Sequence, residues 1–140
     1  MQLSARNMLA GTVTKVAKGA VNTEVDLTLA EGEKIAAIIT NASADALGLG
    51  EGKAATVIIK ASEVMVGTGM DGAKISARNV LNGTVARVED GAVNSEVTIE
   101  LAGGSKVVAS ITKASVQALG LAAGAKASAV IKASNVMVSV

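Results

Sequence analysis

The chain has 140 residues, half of them apolar and 18% charged, with a formal net charge of +1 and no His, Cys, Pro, Phe, Tyr or Trp. Without imidazole or thiolate, the usual general base, soft metal ligand and covalent nucleophile are missing, so the composition points away from an enzyme and from a directly ligated metal. A near-neutral charge without aromatic stacking platforms points away from nucleic acid, and no apolar run approaches the roughly 18 residues of a membrane span.

The opening MQLSARN has no basic stretch leading into an apolar one, so a cytoplasmic location is expected. Leu3 to Lys18 reads as extended, interrupted near Gly11, where a bulge or bend lets a long strand curl. Gly19-Ala20 turns into Asn22–Leu29, where Val25, Leu27 and Leu29 alternate with Glu24, Asp26 and Thr28. Glu31-Gly32 is the next turn and Lys34–Ile39 the next strand. Asn41–Leu47 reads as a short helix with Thr40 or Ser43 as N-cap and Gly48 as its stop. Ala54–Lys60 and Val64–Val66 are the last strands, and the order β-β-β-α-β-β fits a small closed barrel of the OB type.

The same order then starts again. Shifting the sequence by 72 residues aligns 2–66 with 74–138 without a gap, with 37 identities in 65 positions. The period is longer than that of solenoid repeats, so each copy is expected to be a domain: 1–66 and 74–140, joined by a Gly-rich linker at 67–73. The expected fold class is all-β with one short helix per domain, two OB-like five-stranded barrels in tandem. The linker spells G-x-G-x-x-G, but a strand rather than a helix follows it, so it is a joint and not a dinucleotide fingerprint. Gly48 to Lys53 imitates a phosphate loop with the wrong spacing. With only aliphatic residues and Met for a core, such small barrels are marginal alone, and homo-oligomerisation is expected.

The duplication itself sorts the charges. Of 13 charged residues in the first copy, only Arg6, Glu24, Lys34 and Lys60 recur unchanged, as Arg78, Glu96, Lys106 and Lys132. Retained hydroxyls stand beside two of them. Ser4 and Arg6 share a face if that segment is a strand, and so do Lys60 and Ser62. Thr40 and Ser43 flank a helix N-terminus, where free N–H groups favour an anion. The second copy repeats all three clusters as Ser76 with Arg78, Thr112 with Ser115, and Lys132 with Ser134.

Arg and Lys only donate, and Ser, Thr and backbone N–H groups can donate. The complement of such a set is a small dianion rich in acceptor oxygens, a tetrahedral oxyanion, without the pattern naming which. Each cluster also has a plainer use. Thr40 and Ser43 serve as helix caps, Arg6 and Lys60 as solvated charges, and Asn22 with Glu24 as ties for the hairpin or an interface.

Four motifs occur in order, twice: SARN at 4–7 and 76–79, GxxNxEV at 19–25 and 91–97, T-x-x-S before A-L-G-L, and I-K-A-S-x-V-M-V. Together they resemble the molybdate-binding Mop domain, and two in tandem resemble the di-domain molbindins. The resemblance implies an OB-like barrel, a trimer of tandem domains, and molybdate or tungstate held between domains with no further cofactor. It implies one wall from Ser4, Ala5, Arg6 and Asn7 with Lys60, Ala61 and Ser62, facing Thr40 and Ser43 of a neighbouring domain. The second copy supplies Ser76, Ala77, Arg78 and Asn79 with Lys132, Ala133 and Ser134, and Thr112 with Ser115. A second type of site is expected at Ala20, Val21 and Asn22 and at Ala92, Val93 and Asn94. The implied role is storage and buffering of the oxyanion in the cell, because the chain has no room for a helix-turn-helix or nucleotide-binding domain. The alternative is a molybdate-responsive module acting on a partner protein.

Overall fold

The computed structural model describes all 140 residues. The first copy runs β1 (Asn7–Lys18), β2 (Asn22–Leu29), β3 (Lys34–Thr40), α1 (Asn41–Ala46), β4 (Ala54–Ile59), a 3-10 turn (Ala61–Glu63) and β5 (Met65–Gly67). The second runs β6 (Asn79–Asp90), β7 (Asn94–Leu101), β8 (Lys106–Thr112), α2 (Lys113–Leu119), β9 (Lys126–Ile131), a 3-10 turn (Ala133–Asn135) and β10 (Met137–Ser139). All pairings are antiparallel, in two curled five-stranded sheets.

Period-2 alternation sets the inside of each sheet. In β2, Val25, Leu27 and Leu29 are buried while Glu24, Asp26 and Thr28 are only partly covered. The long β1 curls because it serves two partners: its first half pairs with β4 and its second half with β2. The register shift falls between Val13 and Lys15, two residues beyond the expected break at Gly11. Gly11 has a different task. It lies opposite both Leu29 and Ala55, and a Cβ there would stand 2.8 Å from the Thr28 carbonyl oxygen. One hydrophobic cluster, drawn from both copies, fills the interior with Val, Leu, Ile and Ala.

The sheets are not made from their own copies alone. Their strand orders are β10-β4-β1-β2-β3 and β5-β9-β6-β7-β8, so the two copies exchange their last strands. Met137 pairs with Ile58, and Met65 with Val130. The 3-10 turn after β4 leads the chain away from its own sheet and onto the other, where the turn packs against β8; its twin packs against β3.

Two local expectations change. Residues 3–6 precede β1 as a bend rather than a strand, so Ser4 and Arg6 are not placed by strand alternation. Ala61–Glu63 is a 3-10 turn, so Lys60 and Ser62 do not share a strand face. Strand Ala54–Ile59 stops because Lys60 becomes the N-cap of that turn.

Candidate functional site

The helix N-termini are built as the sequence requires. Thr40 leaves β3 with extended backbone and caps α1, its Oγ1 accepting the Ser43 N–H at 3.1 Å. The Thr40 hydroxyl donates in turn to Ser43 Oγ at 2.8 Å. Thr112 and Ser115 repeat both bonds at the start of α2. In each pair the Ser proton remains available to an acceptor.

The 3-10 turn of the opposite copy faces this cap. Thr40, Ser43 and Ser134 line a single cleft of about 440 Å³ with an apolar floor from Ile38, Met137 and Val138. The exchange of β10 and the packing of the Ala133–Asn135 turn on β3 bring the two copies together here. The Ala61–Glu63 turn packs on β8, the strand that ends at Thr112. Ala61 and Ala133 are buried anchors of these turns, while Lys60, Ser62, Lys132 and Ser134 are exposed. The register Asn7 to Ile59 leaves Arg6 and Lys60 as neighbours where β1 begins and β4 ends, and Asn79 to Ile131 does the same for Arg78 and Lys132.

The two arginines have partners that the sequence did not suggest. Arg78 forks onto Glu24, with Nη1 and Nη2 at 2.9 and 2.7 Å from the two carboxylate oxygens, and Arg6 pairs with Glu96. Both pairs cross between copies. The Arg78 hydrogen bonds hold the Glu24 carboxyl below its usual pKa against a smaller opposing effect of desolvation, and Glu24 raises that of Arg78. Retention of Arg and Glu together is thus explained by their mutual contact. The signal was present for the acid, since the plainer use of Glu24 was a tie for the hairpin or an interface, but not for its arginine partner.

Asn7 and Asn79 are 2% exposed, and their side chains staple the sheets. The Asn79 carboxamide accepts the Ala36 N–H and donates to the Ala36 carbonyl, both at 2.8 Å, which satisfies the free edge of β3. Asn7 does the same for Val108 on β8, at 2.7 and 2.8 Å, and also donates to Ile59 O. Ser4, Ser76, Ala5 and Ala77 lie in the bends before these asparagines. They make no side-chain hydrogen bond.

The Ala20-Val21-Asn22 tip is closed by the Gly19 N–H on Asn22 O and tied to α1 through the Asn41 N–H on Val21 O. Ala92, Val93 and Asn94 repeat it, and Val21 and Val93 are 71% and 73% exposed. A larger cleft, about 750 Å³, lies elsewhere, between Met70 and the face carrying Asn82, Glu100 and Lys126. Those three replace Ala10, Thr28 and Ala54, so this cleft is no part of the repeated set. No group of three or more His, Cys, Asp or Glu could hold a bare metal ion.

The Thr40–Ser43–Ser134 cleft is assembled across the exchanged copies, and the Thr112–Ser115 cap repeats its hydrogen bonds in the second copy. The TOBE-domain family model matches residues 3–66 and again 75–138. The chain belongs to the TOBE-domain family. A molybdenum-pterin-binding protein, MopA of Rhodobacter capsulatus, is 46% identical over 99% of the chain, and the molybdenum transport protein ModE of Herbaspirillum seropedicae is 44% identical over all of it. The chain spans about half the length of these two, 52% in each case. A solved structure of ModG, a cytoplasmic molybdate-binding protein with molybdate bound, is 50% identical, with a TM-score of 0.97. That likeness covers 100% of this chain and 99% of the other. The likeness in fold therefore extends over the whole chain.

Proposed function

We propose that this tandem TOBE protein binds molybdate, and tungstate by the same chemistry, without catalysing a reaction. The likeness to molybdate-bound ModG over the whole chain carries the reading. The cleft at Thr40 supports it in chemical terms. It offers serine and threonine hydroxyls and a capped helix start, with the exposed Lys132 ahead of its 3-10 turn and no carboxylate in its lining. A fully deprotonated dianion suits such donors, whereas hydrogen phosphate would set its proton against them.

In this reading Thr40 and Ser43 work with Lys132, Ala133 and Ser134, and Thr112 and Ser115 with Lys60, Ala61 and Ser62. The bends Ser4–Arg6 and Ser76–Arg78 border the two lysines. The role is storage or buffering of the oxyanion in the cytoplasm by a homo-oligomer, a trimer in the simplest case. The ModE relatives, whose length is about twice that of the chain, favour one second reading: a molybdate-responsive module acting on a partner.

Titration calorimetry with sodium molybdate tests the proposal, with sulfate and phosphate in competition. Saturable binding that millimolar sulfate does not displace is expected. Sulfate displacement, or no heat of binding in a folded protein, overturns it. Pull-downs with and without molybdate separate the storage role from the signalling one.

A further inference from the structure

The two copies also meet at the turns that join their second and third strands, Glu31-Gly32-Glu33 and Gly103-Gly104-Ser105. These occupy equivalent places in the repeat, and Gly32 and Gly104 share a left-handed backbone with φ of 103° and 100°. Their flanks differ: Gly103 stands where the first copy has Glu31, and Ser105 where it has Glu33. The contact uses both differences. The Glu33 carboxylate accepts the Gly103 N–H at 2.9 Å and the Ser105 hydroxyl at 3.3 Å. A Cβ at position 103 would run into the Glu31 carbonyl oxygen and stand 2.7 Å from Glu33 Oε1.

We propose that this turn pair is a recognition surface by which each copy selects the unlike copy. An acidic turn set against its own kind would oppose Glu33 with a second glutamate and drive a Cβ into the facing carbonyl. Two Gly-Gly-Ser turns would fit sterically but would leave the Gly103 N–H without its carboxylate. Only the mixed pair supplies room, a donor and an acceptor together.

Such selection has a use in this fold. The closing segments I-K-A-S-x-V-M-V are nearly the same in both copies, so the edges of β4 and β9 cannot tell which copy's last strand they receive. The turns can. The linker then presents the unlike copy at high local concentration, so exchange closes within one chain. This fixes the composition of the cleft at Thr40, helix cap from one copy and 3-10 turn from the other, whatever ligand it holds.

The test uses full-length protein and needs no ligand. Ser105→Glu sets a second carboxylate against Glu33 and is expected to lower Tm by about 3–6 °C. Adding Glu33→Ala should recover most of that loss. Glu33→Ser with Ser105→Glu, which exchanges the carboxylate and the hydroxyl between the two turns, should recover at least as much. The proposal is overturned if Ser105→Glu melts like the parent, or if neither second change relieves it. Should Ser105→Glu alone give no soluble protein, rescue of soluble, folded chain by Glu33→Ser supports the proposal, and failure of that rescue overturns it.

Discussion

The Thr40 hydroxyl does two things at once: its oxygen caps α1, and its proton goes to Ser43 Oγ. The proposed site therefore separates into a residue that mainly holds the helix and one that mainly meets the ligand. Ser43→Ala is expected to weaken molybdate binding while leaving the cap intact. Thr40→Ala should weaken binding too, and also cost about 1 kcal/mol of stability through the lost cap. Paired calorimetry and thermal denaturation check the split; equal stability losses in both variants would refute it. Removing the lysine charges in Lys60→Ala/Lys132→Ala should weaken binding by about 1.5–3 kcal/mol, roughly ten- to a hundredfold, as for a hydrogen bond to a charged group. Unchanged titrations would place the anion away from these turns. The arginines need a different experiment, because each is already engaged by a glutamate of the other copy. Arg78 holds the Glu24 pKa below 4.5, so the pair contributes stability above about pH 4.5 that is lost as pH falls through the lower, folded value. Glu24→Gln should therefore be less stable than the parent at pH 7, with a shallower decline below pH 4.5. Melting curves from pH 3 to 7 measure it, and superimposable profiles would show that the pair is inert. Its exposure limits the effect, since Arg78 and Glu24 side chains are 51% and 31% accessible.

At the scale of elements, Gly11 shows what a strand as long as β1 requires. It is the crossing point at which the strand changes partners, and the Thr28 carbonyl is too close for any Cβ. Gly11→Ala is expected to destabilise the fold by about 1–3 kcal/mol through overpacking, with Gly83→Ala at least as costly because both the Glu100 carbonyl and Ile99 Cγ2 stand in the way. Denaturant midpoints measure both, and midpoints equal to the parent would mean that the sheet yields locally. The curl of β1 near Gly11 was legible in the sequence, but the strand runs unbroken through that glycine and its bulge lies two residues later, where nothing marks Thr14 as the extra residue. Alternation in β2 and the cap of α1 were also legible, since burial period and capping chemistry are local. The bend at Ser4–Arg6 and the 3-10 turn after Lys60 were not, because short hydroxyl- and alanine-rich stretches carry no period. The exchange of β5 and β10 lay beyond any local signal. A closing strand that fits both sheets reads the same whichever sheet it joins. For the candidate site, the residue types were legible and their grouping only in part: Ser134 meets the Thr40 cap, while Asn7 and Asn79 turn inward to the sheet edges.

The whole molecule still exposes apolar surface that the exchange does not cover. Leu3 and Ile75, Val21 and Val93, and Met65 and Met137 are exposed in equivalent pairs, at 44–73% of their accessible area. Single exposed apolar residues need no explanation, but the same three positions recur in two copies that differ at nine of 13 charged residues. Solvation alone does not keep a valine at a hairpin tip, where polar turn residues serve better. The expectation is a homo-oligomer in which these surfaces meet, most simply three chains with the tips of equivalent copies converging. Val21→Asp/Val93→Asp would place charges at those tips without touching the core or the clefts. Sedimentation at micromolar concentration should give a multiple of 13.7 kDa for the parent and a smaller species for the double variant. Burial between chains also makes stability depend on protein concentration, so Tm should rise on concentrating the parent. If the parent sediments as a single chain and its Tm is independent of concentration, the paired apolar positions serve something other than self-association.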